Sequence, residues 1–497
     1  MHFKRNLFLG ACAIVSAVVA ESTARCLEID MNIPIEVGLP DLPADLNPAH
    51  IGTLVQWTLH YNLSDRLLDG GLQGQIRPGL AKSWEVDVAK NQIIFHLRGD
   101  RHFSDGSSIT ADDVFESFRF HYLENGSSKF KLKDHLEVCG SKIGSSCEGI
   151  KLRGREIIFQ FKPGLLADPL LFAIADFGIY PKKILEEKKL DRLFAITSGP
   201  YSIQSRDRIS INLQPNKYYH SKIDQAIRVV DTASFSEPLE WMNKPSASNK
   251  IVRLPDWGTL DISSVDFKTI ESSTFWVRLG FVPLFGSVKD TTERRLIRDL
   301  LREAIILSTG QKIIPRIFPP FETESELTVH PAHSVLTAPL KIVINFFSFT
   351  QVEKVKLEQA LKQKFPKATF EWFKNLSDFL NRIKLKKFDA AIVQYTFGPI
   401  DPYPAAQYIK TVYFQNELPK HFLESISHLH DPHKREERRI RFKNLNDDLE
   451  SEGLIFNLGS AKARFLFSNK LHINGTQLIS GEFDFTSILP ADSTKKQ

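Results

Sequence analysis

Few residues in this sequence stand in patterns that could carry chemistry. The chain contains no G-x-S-x-G nucleophile elbow, no phosphate-binding P-loop and no H-E-x-x-H zinc motif. His428, His430 and His433 cluster, but within a run of charged residues that is typical of a solvated loop rather than a metal site. We therefore predict that the protein is not an enzyme and needs no metal or cofactor.

The cysteines indicate redox chemistry of a structural kind. Cys139 and Cys147 enclose a Gly/Ser-rich stretch, CGSKIGSSC, which predicts a small disulfide loop in an oxidising compartment. Two free buried thiols are the alternative. A second Cys/His pair at ligand spacing is missing, which argues against zinc. Cys26 follows Arg25 instead of a small residue, and this disfavours a lipid anchor at Cys26.

The first 24 residues have the layout of a secretory signal peptide. Lys4 and Arg5 precede an apolar stretch over residues 7–20, and Ala20 or Ala24 offers a small residue for cleavage. The apolar stretch is short beside the ~20 residues of a membrane span, although a retained anchor is the alternative. The remainder is expected to be exported, with the periplasm as its compartment.

Composition excludes further classes of function. The 497 residues are 42% hydrophobic and 25% charged, enough apolar content for two to four folding units of roughly 100–200 residues. The 64 basic and 59 acidic residues give a net charge of +5 without a concentrated basic stripe, so we predict no nucleic-acid partner. We expect a monomer.

Hydrophobic periodicity indicates mixed α/β structure in the first third of the chain. Residues 51–68 have a helical pattern, and residues 92–97 are rich in β-branched and aromatic side chains, as in a strand. Thr110 with Asp113 three residues later predicts a capping box that opens another helix. Residues 235–275 give few periodic signals and suit either loops or strands joined by long turns.

The pattern changes to alternating strands and helices after residue 335. Strands are predicted at 340–345, 368–373 and 388–393, with amphipathic helices at 352–365 and 376–385 between them. This alternation predicts a parallel sheet with helices on its faces.

Four short segments share their order and spacing with one known family. They are Pro78-Gly-Leu-Ala-Lys-Ser-Trp84, Ile94-Phe-His-Leu-Arg98, Phe103-Ser-Asp-Gly106 and Thr110-Ala-Asp-Asp-Val114. Together they resemble the bacterial extracellular solute-binding family that includes the oligopeptide- and dipeptide-binding proteins of ABC importers. Shorter matches follow, among them Asp45-Leu-Asn-Pro48, Ser198-Gly-Pro-Tyr201 with Asn216-Lys-Tyr-Tyr219, and Arg298 to Ala304.

The resemblance implies an α/β, two-lobed periplasmic-binding-protein fold of class II-like arrangement, with mixed sheets flanked by helices. Lobe I would comprise residues 27–280, with an extra subdomain near 65–190. Lobe II would comprise 281–455, and 456–497 would return to lobe I. The implied function is that of a substrate-binding component, with a peptide-like or other small solute and an inner-membrane ABC permease as partners. An exported hydrolase, or a sensor or assembly protein on the same scaffold, is the alternative.

Ligand in such proteins lies between the lobes, where aromatic walls and a few polar groups are expected. The candidate residues are Trp57, Tyr61, Trp276, Tyr395, Phe397, Asp401 and Tyr403. Tyr395 and Phe397 are favoured because they follow a predicted parallel strand. Peptide binders of the family carry an Asp that neutralises the ligand's α-ammonium, and the matching position here is Gly398. This departure argues against a free-amine peptide, because a buried ammonium needs a counter-charge. The alternative is that Asp401 supplies this charge, although its Asp-Pro pair also suits a structural turn.

Overall fold

The computed structural model describes most of the chain between residues 33 and 490. The described residues are 33–39, 42–48, 54–70, 76–124, 132–140, 147–163, 167, 169–173, 177–187, 192–232, 238–246, 248–253, 266–309, 334–345, 351–373, 376–397, 414, 417–427, 435–473 and 483–490. The predicted signal peptide, Cys26, Gly398, Asp401, Tyr403 and the three clustered histidines lie outside them.

The described chain contains both strands and helices, which alternate regularly only in its second half. The strands are β1 (Ile35–Leu39), β2 (Leu68–Gly70), β3 (Ile76–Pro78), β4 (Ala81–Asp87), β5 (Gln92–Leu97), β6 (Ile150–Arg153), β7 (Glu156–Gln160), β8 (Tyr201–Arg206), β9 (Ser210–Pro215), β10 (Ile227–Asp231), β11 (Lys250–Arg253), β12 (Phe267–Phe281), β13 (Lys341–Asn345), β14 (Thr369–Phe373), β15 (Ala390–Phe397), β16 (Ile455–Ser468), β17 (Leu471–Ile473) and β18 (Ile488–Pro490). The helices are α1 (Leu54–Leu63), α2 (Ala111–Glu124), α3 (Leu132–His135), α4 (Lys182–Glu186), α5 (Pro238–Met242), α6 (Thr291–Thr309), α7 (Gln351–Lys364), α8 (Leu376–Lys384), α9 (Lys420–Ser427) and α10 (Arg435–Ser451). Short 3-10 turns cover Pro169–Ala173 and Phe485–Ser487.

One large sheet runs through the molecule. Within the described residues it has ten strands in the order β14-β13-β15-β12-β16-β11-β1-β10-β9-β8. At one side β1 is parallel to β10 and β11, and at the other β13 is parallel to β14 and β15. The two parallel groups are joined by β12 and β16, which are antiparallel to each other and which we call the crossover pair.

The crossover pair divides the sheet into two lobes. Residues 267–271 of β12 pair only with β16, whereas residues 275–281 pair with both β16 and β15. On β16, residues 465–467 pair with β11. The pairing within the crossover pair shifts register between Glu271 and Phe275. Each long strand therefore begins in one lobe and ends in the other, as the two-lobed α/β prediction requires.

A second, four-stranded sheet with the order β4-β5-β7-β6 extends lobe I. Side chains along its strands alternate between the two faces of the sheet. Ile93, Phe95 and Leu97 face a core shared with α2, while the other face is open to solvent. The predicted capping box at the start of α2 is confirmed. The backbone N–H of Asp113 donates to Thr110 Oγ1 (3.2 Å), and the backbone N–H of Thr110 donates to Asp113 Oδ2 (2.8 Å).

Lobe II follows the predicted alternation of strands and helices. The sheet face that carries Val277, Leu279 and Phe281 packs with α8, α9 and α10, and the opposite face packs with α6 and α7. The parallel sheet predicted from residue 340 onwards is confirmed. No helix among the described residues has both the length and the apolar character needed to span a membrane.

The helix predicted over residues 51–68 is shorter in the structure. α1 ends at Leu63, and the next residues form an extended turn. The backbone N–H of Asp65 donates to Ser198 Oγ (2.8 Å), and the N–H of Gly199 donates to the Leu63 carbonyl (3.0 Å). These hydrogen bonds to a distant segment replace the next helical turn, which a local sequence pattern does not reveal.

Candidate ligand-binding site

The carboxyl ends of both groups of parallel strands point at the same region. In lobe II, Phe397 at the end of β15 lies opposite Phe275, next to the register shift of β12. In lobe I, Arg253 at the end of β11 lies opposite Phe465, where β16 enters that lobe. The parallel neighbours of β11 and β15 end at the same edges. Open α/β sheets bind ligands beyond the carboxyl ends of their strands, so a ligand between the lobes meets two such edges.

The favoured candidates lie at this edge of lobe II. Tyr395 pairs with Val277 in the ladder between β15 and β12, and Phe397 pairs with Phe275. Trp276 lies between those two partners and pairs with Thr396. The structure therefore places Trp276, Tyr395 and Phe397 on two adjacent strands beside the register shift. Their role in ligand binding stays a prediction.

The two lobe I candidates lie on α1. Trp57 and Tyr61 each expose only 7% of their surface. The guanidinium of Arg66 stacks over the Tyr61 ring with its Cζ 3.8 Å from the ring centroid. Tyr61 thus packs against a buried charge inside lobe I, a contact that the sequence did not indicate. Ligand contact by either residue remains untested.

Buried polar residues at the lobe II edge were missed by the sequence reading. Arg278 in β12 is fully buried, and its Nη2 lies 3.5 Å from Oε2 of Glu353 in the first turn of α7. Asn345, which is 3% exposed, ends β13 one loop before that helix. Burying an ion pair costs desolvation energy, so the pair is weak evidence for stability, and our hypothesis is that it serves specificity. The signal in the sequence was Glu353 at the start of a helix that follows a parallel strand.

A cluster of buried charges occupies the inner part of lobe I. We call Asp65, Arg66 and Asp69 the Asp65 cluster. Arg66 Nη1 donates to the carbonyls of Tyr61 (2.9 Å) and Ser64 (3.0 Å), and Arg66 Nη2 donates to Asp69 Oδ1 (2.9 Å). Burial, together with the nearby Asp69 carboxylate, raises the pKa of Asp65 to about 6. Burial also raises the pKa of the neighbouring Tyr219 well above its ordinary value.

The residues of the Ser198–Tyr201 segment that match the family motif have structural roles. Gly199 approaches the end of α1 so closely that a Cβ there would lie 2.6 Å from the Leu63 carbonyl carbon. Asn216 holds the turn, because its Nδ2 donates to the Gly199 carbonyl (2.9 Å). The hydroxyl of Ser198 donates to the Ile179 carbonyl (2.7 Å). The Ser198–Tyr201 segment and Asn216 therefore help to position the Asp65 cluster.

The remaining sequence candidates concern cysteines and metals. Cys139 and Cys147 face each other across an isolated antiparallel bridge with their sulfur atoms within bonding distance. Among the described residues, no group of three or more His, Cys, Asp or Glu side chains is placed to hold a metal ion.

Comparison with known proteins supports the family resemblance. Residues 75–274 match the model described as bacterial extracellular solute-binding proteins, family 5 Middle. Residues 75–274 are thus similar to the middle segment of that family. This confirms the predicted resemblance. The periplasmic oligopeptide-binding protein OppA of Escherichia coli (strain K12) is 34% identical over 85 residues, which are 17% of this chain and 16%, or about one sixth, of the relative's length.

Solved structures share the fold over nearly the whole chain. The periplasmic oligopeptide-binding protein OppAIV of Borrelia burgdorferi is 18% identical with a TM-score of 0.73, covering 92% of this chain and 100% of the other. NikA of Brucella suis, in complex with Fe(III)-EDTA, is 17% identical with a TM-score of 0.72, covering 92% and 99%. At these identities the likeness shows the fold alone, and the predicted two-lobed α/β fold is confirmed.

Proposed function

We propose that the protein is the extracytoplasmic substrate-binding component of an ABC importer, which captures a small solute between its lobes. The observation that carries this proposal is the pair of strand edges. The parallel strands of lobe I and of lobe II end at the crossover pair, facing one region. Such a region receives polar groups and helix N-termini from both sides. Among the described residues, the crossover pair connects the two lobes there.

Capture would proceed by rotation of the lobes about the crossover pair. The register shift between Glu271 and Phe275 interrupts the regular ladder at the point where β12 leaves lobe I. Hinge motions concentrate in a few residues at the ends of elements while the packed lobes move as rigid bodies. A ligand drives closure only by binding the closed state more tightly than the open one. The closed shape would then be what a membrane permease recognises.

The scaffold alone does not define the class of ligand, because proteins of this fold bind different solutes. The relative from Escherichia coli is named for oligopeptides, whereas the Brucella suis structure holds a metal chelate. Gly398 stands where the peptide binders of the family carry an Asp. We therefore propose a peptide-like or other small solute that does not present a free α-ammonium to this position. Trp276, Tyr395, Phe397, Asp401 and Tyr403, with Trp57 and Tyr61, are the proposed contacts.

Export is part of the same proposal. Residues 1–24 would direct the chain to the periplasm and be removed there, without a lipid anchor at Cys26. In that oxidising compartment Cys139 and Cys147 would form a disulfide. The lobe boundaries would lie within the crossover pair, and the chain would act as a monomer without catalysis.

The test is a ligand screen on the purified mature chain. Peptides with free and with acetylated amino ends, sugars and metal chelates are compared by thermal unfolding. One class should raise the melting temperature by several degrees, because a ligand at 100 times its Kd stabilises the native state by about 2.7 kcal/mol. Tyr395→Ala and Phe397→Ala should reduce that shift, while Ile209→Ala, on an exposed hairpin, should not. If no class raises the melting temperature, the proposal is wrong.

Closure is measured separately from binding. Dyes placed at Ile209→Cys in lobe I and Val355→Cys in lobe II, both exposed positions, report the distance between the lobes by energy transfer. The active ligand should shorten this distance. A ligand that binds without changing it would contradict capture by hinge closure.

A further inference from the structure

A second concave site lies away from the strand edges, on the solvent face of the four-stranded sheet. It is a groove of about 570 Å³. Four of its lining residues carry basic side chains, namely Lys82, Arg98, Arg153 and Arg155. We call it the basic groove. Its volume falls within the roughly 300–1,000 Å³ of small-molecule sites.

The strands of this sheet build the groove through their alternation. Phe95 and Leu97 of β5 point into the core, so His96 between them points to the open face. Arg155 lies in the turn that joins β6 to β7. Its guanidinium lies over Gly99, where an added Cβ would come within 1.7 Å of Arg155 Nη1. Any larger residue at position 99 would displace the Arg155 guanidinium from this position.

Acidic neighbours do not neutralise the basic groove. Glu156 is engaged by Arg153, whose Nε donates to its Oε2 (2.8 Å), and also faces His96 Nδ1 at 3.4 Å. Glu85 faces the other ring nitrogen of His96 at 3.2 Å. Among the described residues, Lys82, Arg98 and Arg155 have no ion-pair partner, and Asp100 is the remaining acid of the lining. Three cations against one anion leave an excess of two positive charges.

Arg98 is fixed in place rather than free to move. Its Nε donates to the Gly79 carbonyl (2.9 Å), and its backbone N–H donates to the Leu80 carbonyl (2.9 Å). A guanidinium that is already ordered loses little entropy when it binds an anion. Arginine presents a planar fork of donors that matches the oxygens of a phosphate in a bidentate way.

We propose that the basic groove is a second binding site, for a phosphate-bearing anion of the size of pyrophosphate. Arg98 and Arg155 would bind phosphate oxygens through their forks, and Lys82 would contribute a third charge. The site is independent of the solute captured between the lobes. The same phosphate chemistry has two sources, a soluble phosphate ester or a lipid headgroup.

The first experiment is calorimetric titration of the full mature chain with pyrophosphate at low ionic strength. Binding is expected, weakening as salt is added, because exposed charges are screened. Arg155→Ala should weaken it at least tenfold, and Arg155→Lys should also weaken it, since the lysine keeps the charge but loses the fork. The matched control is Lys151→Ala, an exposed lysine on β6 of the same sheet, paired with Glu148 outside the groove.

The second experiment identifies the source of the phosphate. Flotation with phosphatidylcholine vesicles, with and without phosphatidate, is compared for the native chain and the Arg155→Ala variant. Binding to either probe that is lost in Arg155→Ala and kept in Lys151→Ala supports the proposal, and the probe that binds names the source. The proposal is overturned when neither probe binds, or when Lys151→Ala weakens binding as much as Arg155→Ala does. Circular dichroism of each variant confirms that the sheet is intact.

Discussion

Each lobe buries an arginine, and the two arginines have different partners. In lobe II, Arg294 of α6 is 4% exposed, and its Nε donates to the Glu452 carbonyl (2.9 Å) just beyond the end of α10. Its Nη1 donates to the Lys289 carbonyl (2.7 Å) and its Nη2 to Thr291 Oγ1 (2.7 Å). In lobe I, Arg66 pairs with a carboxylate of the Asp65 cluster. Arg294 Nη2 also donates to Glu452 Oε2 (3.1 Å), so each arginine binds backbone carbonyls and one carboxylate. The lobes differ in a second carboxylate, Asp65, which is buried beside Arg66.

This difference separates the lobes in their response to pH. Backbone carbonyls at a helix end carry a partial negative charge that does not change with pH, and a cation there is stabilised by the helix dipole. Asp65, beside Arg66, has a raised pKa in the folded state because it is buried. Lobe I also buries His60 and His121, and burial lowers their pKa values to about 3 and about 4. We expect lobe I to govern the pH dependence of stability.

The largest effect is expected for Arg294→Ala. The substitution leaves the Lys289 and Glu452 carbonyls and the Thr291 hydroxyl without their donor, and it should lower the free energy of unfolding of lobe II by about 3–5 kcal/mol. Native-state hydrogen exchange, which resolves the lobes, measures this loss. Arg295→Ala is the control, because Arg295 is exposed on the next position of the helix. Equal losses for the two variants would contradict the assigned role of Arg294.

The next effect is Asp65→Asn, and its sign depends on pH. A raised folded-state pKa gives stability that is present below the unfolded value near 3.8 and is lost as the pH rises through about 6. Asparagine does not ionise, so the variant should be more stable than the native chain at neutral pH by about 2–3 kcal/mol, and this advantage should vanish below pH 4.

For Asp69→Asn we expect the opposite change in stability at neutral pH. Asp69 is the carboxylate that pairs with buried Arg66 at 2.9 Å, so its loss should destabilise lobe I at neutral pH. Urea unfolding at several pH values measures both variants. A destabilised Asp65→Asn variant at neutral pH would show that the Asp65 charge is favourable where it lies.

Gly453→Ala should cost about 2 kcal/mol. Gly453 has a φ of +64° and ends α10 in a Schellman arrangement, with the Leu454 N–H bonded to the Leu449 carbonyl (3.1 Å). A Cβ there would lie 2.8 Å from the Arg294 carbonyl carbon, which adds a steric cost to the conformational one. Gly154→Ala, at φ +62° with nothing within 4 Å, isolates the conformational part, about 1 kcal/mol. Equal thermal shifts would exclude the steric contribution.

The smallest effect belongs to the capping box of α2. Thr110→Ala should lower the stability of the second sheet and its helix by about 1 kcal/mol, because the Asp113 N–H loses its side-chain acceptor. Thr110→Ser keeps the hydroxyl and should restore most of the loss. Thermal unfolding of the three chains is the measurement. A loss that serine does not restore would point to the methyl group instead of the cap.

The sequence predicted elements whose signals are local. The Thr110–Asp113 cap and the alternating elements of lobe II depend on residues close in the chain, and the structure confirms them. The family resemblance implies crossover strands, but their positions were not predicted from the residues. β12 starts within residues 235–275, which give few periodic signals, and it passes through two environments, so no single periodicity holds along it. The Asp65 cluster was missed for a related reason, since charged residues are normally exposed. The available signal was the seven-residue segment LSDRLLD, in which three charged residues lie among buried leucines.

The candidate site could be predicted only as an edge of a sheet. Tyr395 and Phe397 were favoured as candidates because alternating strands and helices predicted a parallel strand just before them, and their role in binding stays a prediction. Arg278 was not found, because a strand arginine looks like a surface residue until its neighbours are known. Its burial depends on Glu353, which is 75 residues away in the chain.

The crossover pair brings together the two points where the chain enters and leaves lobe II, because Phe275 of β12 pairs with Lys462 of β16. In chain order, lobe II is thus an insertion within lobe I, with its two ends already side by side. A segment with adjacent ends can be excised, or replaced by a foreign one, with only a short link to close the gap. Lobe II is in this sense a cassette. Exchanging it between distant relatives would change one wall of the cleft while the lobe I fold stayed as it is.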